Sequence, residues 1–459
     1  MIKAIVIIYA ARILGTADYG VFSYALTLAG FFTLFIDPGL NGIVLRDASQ
    51  GEQESKFRIL STTFYIKLVL VTAGIFTVLF IAPYFSVLPG AKALLPVVAF
   101  ILFFDNLREF LFSFVRTMEK MEWEAGVFLL LNVAIVIFGF IALRFSPTSL
   151  ALGWAYAAGT AIGLIGVLFL LRRYLKPMIS HFSSRLVPKI FQAAWPFAVT
   201  GALGILLTNT DILIISWMRT ASDVGVYSAA IRIIQTLYLI PVIIQFSTLP
   251  LFARLANKDN PRFRAALERI VGTIFLISVP LAIGSAVLGT QIMSFVFGSA
   301  YAGGGLAFKI LMATMLVDFP AAVISNAIFA YNHQKSLIVT SAIGSISNVV
   351  FDIILIPFFG IAGSAVATLL AQAASNWYLW HMMKKINYFE IIPRLLKVVS
   401  AGILMGIGAF LLSEISIPVL LNIALCALFY FGLLYVIREP LLLEAKQIIS
   451  PPVSAATPL

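Results

Sequence analysis

Apolar runs, broken by short charged or Pro/Gly-rich stretches, follow one another from one end of this chain to the other. They fall at approximately 2–14, 21–44, 59–82, 93–115, 125–143, 150–171, 191–217, 225–250, 270–289, 303–330, 337–356, 362–383, 396–412 and 419–437. A helix needs about 20 residues to cross about 30 Å of hydrocarbon. The pattern therefore predicts an all-α integral membrane protein of about 14 transmembrane helices with little mass outside the bilayer. Composition agrees: of 459 residues 61% are apolar and 11% charged, and the mean hydropathy is +1.03. A soluble domain is about 45–50% apolar and about 25% charged. The excess runs along the whole length, which excludes a soluble enzyme on a single anchor. Residues 2–14 are short for a crossing, and no small-residue cleavage site precedes the next run, so the expectation is a truncated first helix or a start assigned too late, not a leader peptide. Ser450 to Leu459, rich in Pro, Ser and Ala, reads as a disordered tail.

A net charge of +11 invites a nucleic-acid reading until the basic residues are placed. Alternate loops fall into two classes. Lys3, Arg46, Lys56, Arg58, Arg116, Lys120, the cluster from Arg172 to Lys189, that from Arg254 to Arg269, Lys335, Lys384, Lys385, Arg394, Lys397, Arg438 and Lys446 belong to one, which holds 23 of the 31 basic residues. The opposite class holds only Arg12, Lys92, Arg144 and Arg219, and Lys67, Arg108, Arg232 and Lys309 lie within runs. Basic loops stay cytoplasmic, so both termini are placed inside a multi-pass plasma-membrane protein. The charge is mostly topology signal, and nucleic acid drops out as a partner. Cys426 is alone in an apolar run, and His181, His333 and His381 are far apart, so neither a disulfide framework nor a metal site is indicated. No phosphate-binding loop, zincin helix or nucleophile elbow is present. No cofactor and no catalysis are expected, and transport would draw on an ion gradient, a substrate gradient or a partner.

The chain also repeats itself. Asp18-Tyr19-Gly20-Val21-Phe22-Ser23-Tyr24-Ala25 opens the second run, and Asp223-Val224-Gly225-Val226-Tyr227-Ser228-Ala229-Ala230 opens the eighth, 205 residues later. Gly153-Trp154-Ala155-Tyr156-Ala157 and Gly363-Ser364-Ala365-Val366-Ala367 echo each other more weakly at the sixth and twelfth. An even number of crossings between copies implies parallel repeats, whose substrate sites lie at the repeat interface. The expected organisation is a six-helix lobe over 1–183, a second over 184–390, two further helices over 391–440 and a cytoplasmic tail over 441–459.

Ala11-Arg12-Ile13-Leu14-Gly15-Thr16-Ala17-Asp18-Tyr19-Gly20-Val21-Phe22, followed by Asp37-Pro38-Gly39-Leu40-Asn41 and Arg46, resembles the signature of polysaccharide-unit flippases. These belong to the multidrug/oligosaccharidyl-lipid/polysaccharide exporter superfamily, with the lipid II flippases and the multidrug extruders. The sharp motif covers about the first fifty residues. The resemblance implies a transporter that moves polyprenyl-diphosphate-linked oligosaccharide units from the inner to the outer leaflet by alternating access. Its implied partners are the lipid-linked oligosaccharide, membrane lipid, and polysaccharide polymerases or glycosyltransferases.

A diphosphate crossing hydrocarbon needs cations, its sugars need hydrogen-bonding groups, and ionisable residues within a membrane usually face an interior or a pore. Arg232, about two turns into the eighth run, reads either as a phosphate contact or as an ion pair with Asp211. Lys67 and Lys309 are substrate-binding candidates that could equally snorkel to a membrane surface. Arg108 has Asp105 three residues away on one helical face, so it fits a gate as well as a site. Arg46 and Arg254, at equivalent ends of the repeats, either collect the anionic head group or simply anchor the cytoplasmic side. Asp37 and Asp211 are candidates for ion coupling, with Asp318 and Asp352 behind them, against a reading as structural pairs or caps. Asn132, Asn209, Gln235, Gln245, Asn326 and Asn348 suit sugars, and interhelical glue explains each equally well. Pro196, Pro241, Pro250, Pro280 and Pro320 are expected to kink their helices, and Gly303-Gly304-Gly305 to bend the tenth. Two rival readings stand beside the flippase: a cation-coupled extruder of drugs or metabolites, whose cavity should be acidic, and a membrane-embedded glycosyltransferase, which should carry a large extramembrane loop.

Overall fold

The computed structural model describes residues 2–50, 53–85 and 88–442. The tail expected to be disordered, and Lys446 with it, lies outside the described residues. All regular elements among the described residues are helical. In hydrocarbon every backbone N–H and C=O must find its partner internally, and a helix does this within one segment. The helices are α1 (Ile2–Ile36), α2 (Leu40–Gln50), α3 (Gln53–Phe76), α4 (Ala82–Phe85), α5 (Ala91–Thr117), α6 (Met121–Phe145), α7 (Ser149–Leu171), α8 (Leu175–Ser180) and α9 (Val187–Met218). They continue as α10 (Ala221–Leu237), α11 (Leu239–Leu255), α12 (Asn260–Phe297), α13 (Gly305–Ala313), α14 (Met315–Ala330), α15 (Gln334–Ile386), α16 (Ile392–Glu414) and α17 (Val419–Val436).

Eleven helical stretches among the described residues are long and apolar enough to cross a membrane. Two of them, α1 and α15, bend within their length. At 1.5 Å per residue, α15 with its 53 residues would run roughly 80 Å. Each holds one residue that is not helical, Gly15 in α1 (φ 73°, ψ 179°) and Gly360 in α15 (φ 58°, ψ −139°). Both conformations belong to glycine, because a Cβ would clash there. The runs read at 2–14 and 21–44, and those at 337–356 and 362–383, therefore succeed one another across a bend with no loop between them.

Proline sets two further differences from the sequence reading, and a glycine-rich turn accompanies a third. The run at 21–44 stops at Ile36, because the residue before Pro38 is pushed out of helical conformation. Gly39 N–H donates to the Asp37 carbonyl (2.7 Å) in the turn, and residues 40–50 form the separate helix α2. The run at 225–250 divides at Tyr238, three residues before Pro241, which has no N–H to give to the carbonyl of Leu237. At the tenth run the glycines end in a short 3₁₀ turn, Ser299–Gly304, and a second break falls at Thr314. Pro196, Pro250, Pro280 and Pro320 lie within α9, α11, α12 and α14.

The chain forms two compact units, Met1–Ala229 and Ala230–Leu459. Their boundary falls inside α10, whereas the lobes read from the sequence meet at 183/184. In the first unit, α5 packs against α7 and α1, and α6 lies along α7. Leu40 and Ile43 pack with Ile66, Ile190 and Ala194, which fixes α2 to α3 and α9. In the second, the 38-residue α12 packs against α13, α14 and α16. Leu276, Val279 and Leu288 meet Val398, Ala401, Met405 and Ala409 of α16 and Cys426, Tyr430 and Leu434 of α17 in one cluster. Lipid is as apolar as these side chains, so close packing rather than escape from water holds such helices together. Large apolar residues such as Phe246, Phe358, Trp377 and Leu428 stay exposed, a liability in water and a match to acyl chains.

Candidate functional site

The strongest polar constellation of the first unit is built where α1 ends. The Pro38-Gly39 turn leaves Asp37 beyond the last helical residue, and its Oδ1 accepts from the Asn41 N–H at the start of α2 (3.3 Å). Its Oδ2 lies 3.4 Å from Lys67 Nζ, on α3. Lys67 is fully buried. Its ammonium also donates to Asn106 Oδ1 on α5 (3.2 Å), and Asn106 Nδ2 donates to Thr33 Oγ1 on α1 (3.2 Å) and to the Leu102 carbonyl (3.1 Å). Three helices thus share one ion pair, with Asp37 the partly accessible end at 15% exposure.

Two residues along α5 from Asn106, Arg108 is buried. One guanidinium nitrogen donates to Asp105 Oδ1 (2.6 Å) and another to Glu109 Oε1 (3.0 Å). Its buried Nε has no hydrogen-bond partner among the described residues. Arg116 continues the chain of charges, 3.9 Å from Glu109 and donating through Nε to Glu124 Oε2 on α6 (2.8 Å). Lys67 and Arg108 thus keep three carboxylates for company. They are ion-paired cations, and a phosphate would have to compete for them.

Arg46 is different. It sits on α2, whose 11 residues are too few to cross a membrane, and its side chain is 44% exposed. Its Nη2 donates to Asp47 Oδ2 (3.1 Å), and its guanidinium lies 5.6 Å from the Phe197 ring centre. The hydrogen bond to Asp47 raises its already high pKa, so it is charged at any workable pH. Asp211 is buried on α9 and accepts from the Tyr227 hydroxyl (2.6 Å), a residue of the second repeat block.

In the second unit Arg232 is half-buried on α10, and its Nη1 donates to Gln235 Oε1 one turn on (3.0 Å). Lys309, on α13, lays its stem so close to Gly289 of α12 that a Cβ there would come within 2.6 Å of Lys309 Cγ. Asp318 is buried and accepts from the Tyr238 hydroxyl and from Asn376 Nδ2 (2.9 Å), joining α14 to α15. Asp352 accepts from Asn348 (3.5 Å) one turn away. The amide candidates mostly hold backbone. Asn326 donates to the Gln245 carbonyl (2.7 Å), Gln245 to the Ala322 carbonyl (2.8 Å), Asn132 to the Phe128 carbonyl (2.6 Å) and Asn209 to the Ile205 carbonyl (3.1 Å). No cluster of side chains that could hold a metal occurs among the described residues.

Sequence reasoning passed over Asn106 as a partner of the buried Lys67, and Thr33 behind Asn106. The spacing of Asp105, Arg108 and Glu109 was readable, whereas Lys67 meets Asn106 39 residues away. A second missed set lies at the ends of α12 and α15. Glu268 Oε1 accepts from Arg264 Nε (2.8 Å) and from the Glu390 N–H (2.9 Å), while Tyr331 donates to Asn260 and accepts from Asn387 (2.9 Å each).

The chain matches the family described as polysaccharide biosynthesis protein over residues 1–256. Among curated relatives it is 24% identical to a probable low-salt glycan biosynthesis flippase of Haloferax volcanii, over 87% of this chain and 85% of that protein. It is 21% identical to a capsular polysaccharide biosynthesis protein of Staphylococcus aureus, over 84% of this chain and 95% of that one. Among solved structures, a lipid II flippase in an inward closed conformation superposes with a TM-score of 0.77 at 19% identity, covering 96% of this chain and 97% of that one. An inward-facing multidrug transporter of the MATE family gives 0.68 at 12% identity, covering 83% and 94%. At these identities the superpositions speak for the fold alone, one shared with a lipid II flippase and a multidrug transporter. With the apolar helices of both units and the family match over more than half its length, the chain is a multi-pass membrane protein belonging to the polysaccharide biosynthesis protein family.

Proposed function

We propose that the protein is a transporter, not an enzyme, that flips polyprenyl-diphosphate-linked oligosaccharide units from the inner to the outer leaflet of the plasma membrane by alternating access. The observation that carries this reading is the family match over residues 1–256, on a fold shared with a lipid II flippase. The relatives' names point the same way, since several are flippases or glycan biosynthesis proteins. The two bent helices α1 and α15 each supply two crossings, and α5, excluded from the apolar stretches by its charges, supplies one. Together with the nine other stretches this makes fourteen, with both termini inside as the basic loops require.

Within that scheme Arg46 in the first unit is one contact for an anionic head group, and Arg232 and Lys309 in the second unit are others, each taken in its own unit and none fully buried. Arg108 offers its Nε–H, which has no hydrogen-bond partner among the described residues. The Asp37–Lys67 pair, buried at its lysine end and partly accessible at its carboxylate, is the ion-coupling element, while Asp211 serves the same unit through Tyr227. Polysaccharide polymerases or glycosyltransferases take up the product. The test is flipping of a fluorescent undecaprenyl-diphosphate oligosaccharide in proteoliposomes. Protein-dependent exposure of the sugar on the opposite leaflet supports the reading. Its absence, together with gradient-driven efflux of a cationic dye, would move the protein to the extruders.

A further inference from the structure

The end of α17 breaks two local rules at once. The helix closes at Val436 in a reversal where Arg438 N–H donates to the Tyr435 carbonyl (3.1 Å) and Glu439 N–H to the Leu434 carbonyl (2.9 Å). In such a reversal the left-handed residue is usually glycine, and the next is commonly apolar and packs back on the helix. Here Arg438 takes the left-handed place, at φ 49°, and an acid, Glu439, follows it. Rules broken locally in an otherwise consistent structure tend to mark sites with a function. Nor is the segment a loose end. Leu441 lodges in the cluster shared by α12, α16 and α17, so close to α12 that a Cβ on Gly272 would come within 2.6 Å of Leu441 Cδ2.

A cavity of about 320 Å³ opens at this reversal, lined by Leu434, Tyr435, Val436, Arg438, Glu439 and Leu442. It carries one charge of each sign. Arg438 is exposed. Glu439 is 3% exposed, and its Oε2 is buried with no hydrogen-bond partner among the described residues. A buried acceptor left without a donor is costly, so the cavity calls for an N–H cation at Glu439 and an anion at Arg438. It also lies at the end of an apolar helix, hence at a membrane surface. From it Tyr435, Phe431 and Leu428, four and three residues apart, run along α17 as an exposed apolar stripe.

We infer that this cavity seats the head group of a membrane lipid of the phosphoethanolamine class, its ammonium on Glu439 and its phosphate on Arg438, with an acyl chain along the stripe. Charge complementarity selects this occupant. An anionic lipid would leave Glu439 unanswered, and a choline head group has no N–H to donate. Lys446, from the chain beyond the described residues, would satisfy Glu439 and leave Arg438 without an anion. The inference concerns binding alone and does not rest on the transport reading.

The test is native mass spectrometry of the full chain released from detergent micelles, titrated with phosphatidylethanolamine, phosphatidylcholine and phosphatidylglycerol of matched acyl chains. Phosphatidylethanolamine is expected to bind at the lowest concentration. Glu439→Gln and Arg438→Gly should each weaken it about tenfold, the worth of one charge-assisted hydrogen bond. Neither variant should lower the melting temperature of the lipid-free protein, since the first removes a buried charge without a partner and the second puts glycine in a left-handed position. Equal binding of the ethanolamine and choline lipids would overturn the assignment, as would an ethanolamine preference that survives in Glu439→Gln. A lower melting temperature for lipid-free Glu439→Gln would show that the carboxyl holds protein rather than lipid, and would also overturn it. Binding that appears only once Lys446→Ala is introduced would give the cavity to the chain's own tail. Displacement of the lipid by equimolar glycerophosphoethanolamine would give it to a soluble ligand, and either result refutes the lipid seat.

Discussion

Replacing Asp37 by Asn should be among the most damaging isosteric changes in the first unit. The substitution keeps the size of the side chain and an oxygen for the Asn41 N–H, and removes only the charge. Lys67 is left fully buried with its ammonium 3.2 Å from Asn106 Oδ1 and no carboxylate at 3.4 Å. Removing one partner of a buried pair costs about 3–5 kcal/mol, because the remaining charge is uncompensated. Asp37 itself is 15% exposed rather than fully buried, which puts the cost near the lower end, about 3 kcal/mol. For a unit of about 230 residues such a loss lowers the melting temperature by roughly 6–12 °C. Lys67→Met should cost less, because the carboxylate it strands is only partly buried. The double variant should recover most of the loss, since neither charge is then left buried without its partner. The assay is size-exclusion thermostability of the three variants in one detergent, read as a double-mutant cycle. The reasoning is refuted if Asp37→Asn is as stable as the unsubstituted protein, or if the double variant is less stable than Asp37→Asn alone.

The other predictions concern the substrate contacts and the bends. Arg46→Ala and Arg232→Ala should each reduce flipping about tenfold or more, the worth of one charge-assisted hydrogen bond of about 1.5–3 kcal/mol, while melting temperature moves little. Full flipping by both variants would remove them from the site. Because Arg46 stays charged at any workable pH, a pH dependence of flipping that survives in Arg46→Ala must come from other groups. Gly360→Ala should cost about 1–3 kcal/mol, as a Cβ is forced into a backbone region that only glycine tolerates. Circular dichroism melts of the second unit's helices report it, and an unchanged melt would mean that α15 can straighten.

Much of the fold was legible because the bilayer imposes a coarse rule. A run of about 20 apolar residues must be a helix, and the runs placed most of the helices observed. What the rule could not show is how helices end. A loop was expected between residues 14 and 21, but a single glycine at 15 turns the chain while it remains helical on both sides. Pro38 cut the second run short, and Pro241 split the eighth, since a missing N–H weighs more than apolar composition. The candidate site was legible only where its partners are local. Asp105, Arg108 and Glu109 lie on one helix within four residues, and the expected pair formed. Lys67 gave no sign that Asn106 would face it, or that Asp37 would fold back over it from the far end of α1.

By itself the sequence determined that this chain lives in a membrane and is helical there, because hydropathy and backbone satisfaction are properties of each segment alone. It also fixed the family, through a motif whose residues are contiguous. The tertiary structure alone decided which intramembrane charges are neutralised and which are left to do other work, because a charge is paid for by whatever carboxylate the packing brings within a few ångströms. It also decided what the repeated Asp-x-Gly-Val block is: two glycines 205 residues apart share one crossing, and only the fold could put them there.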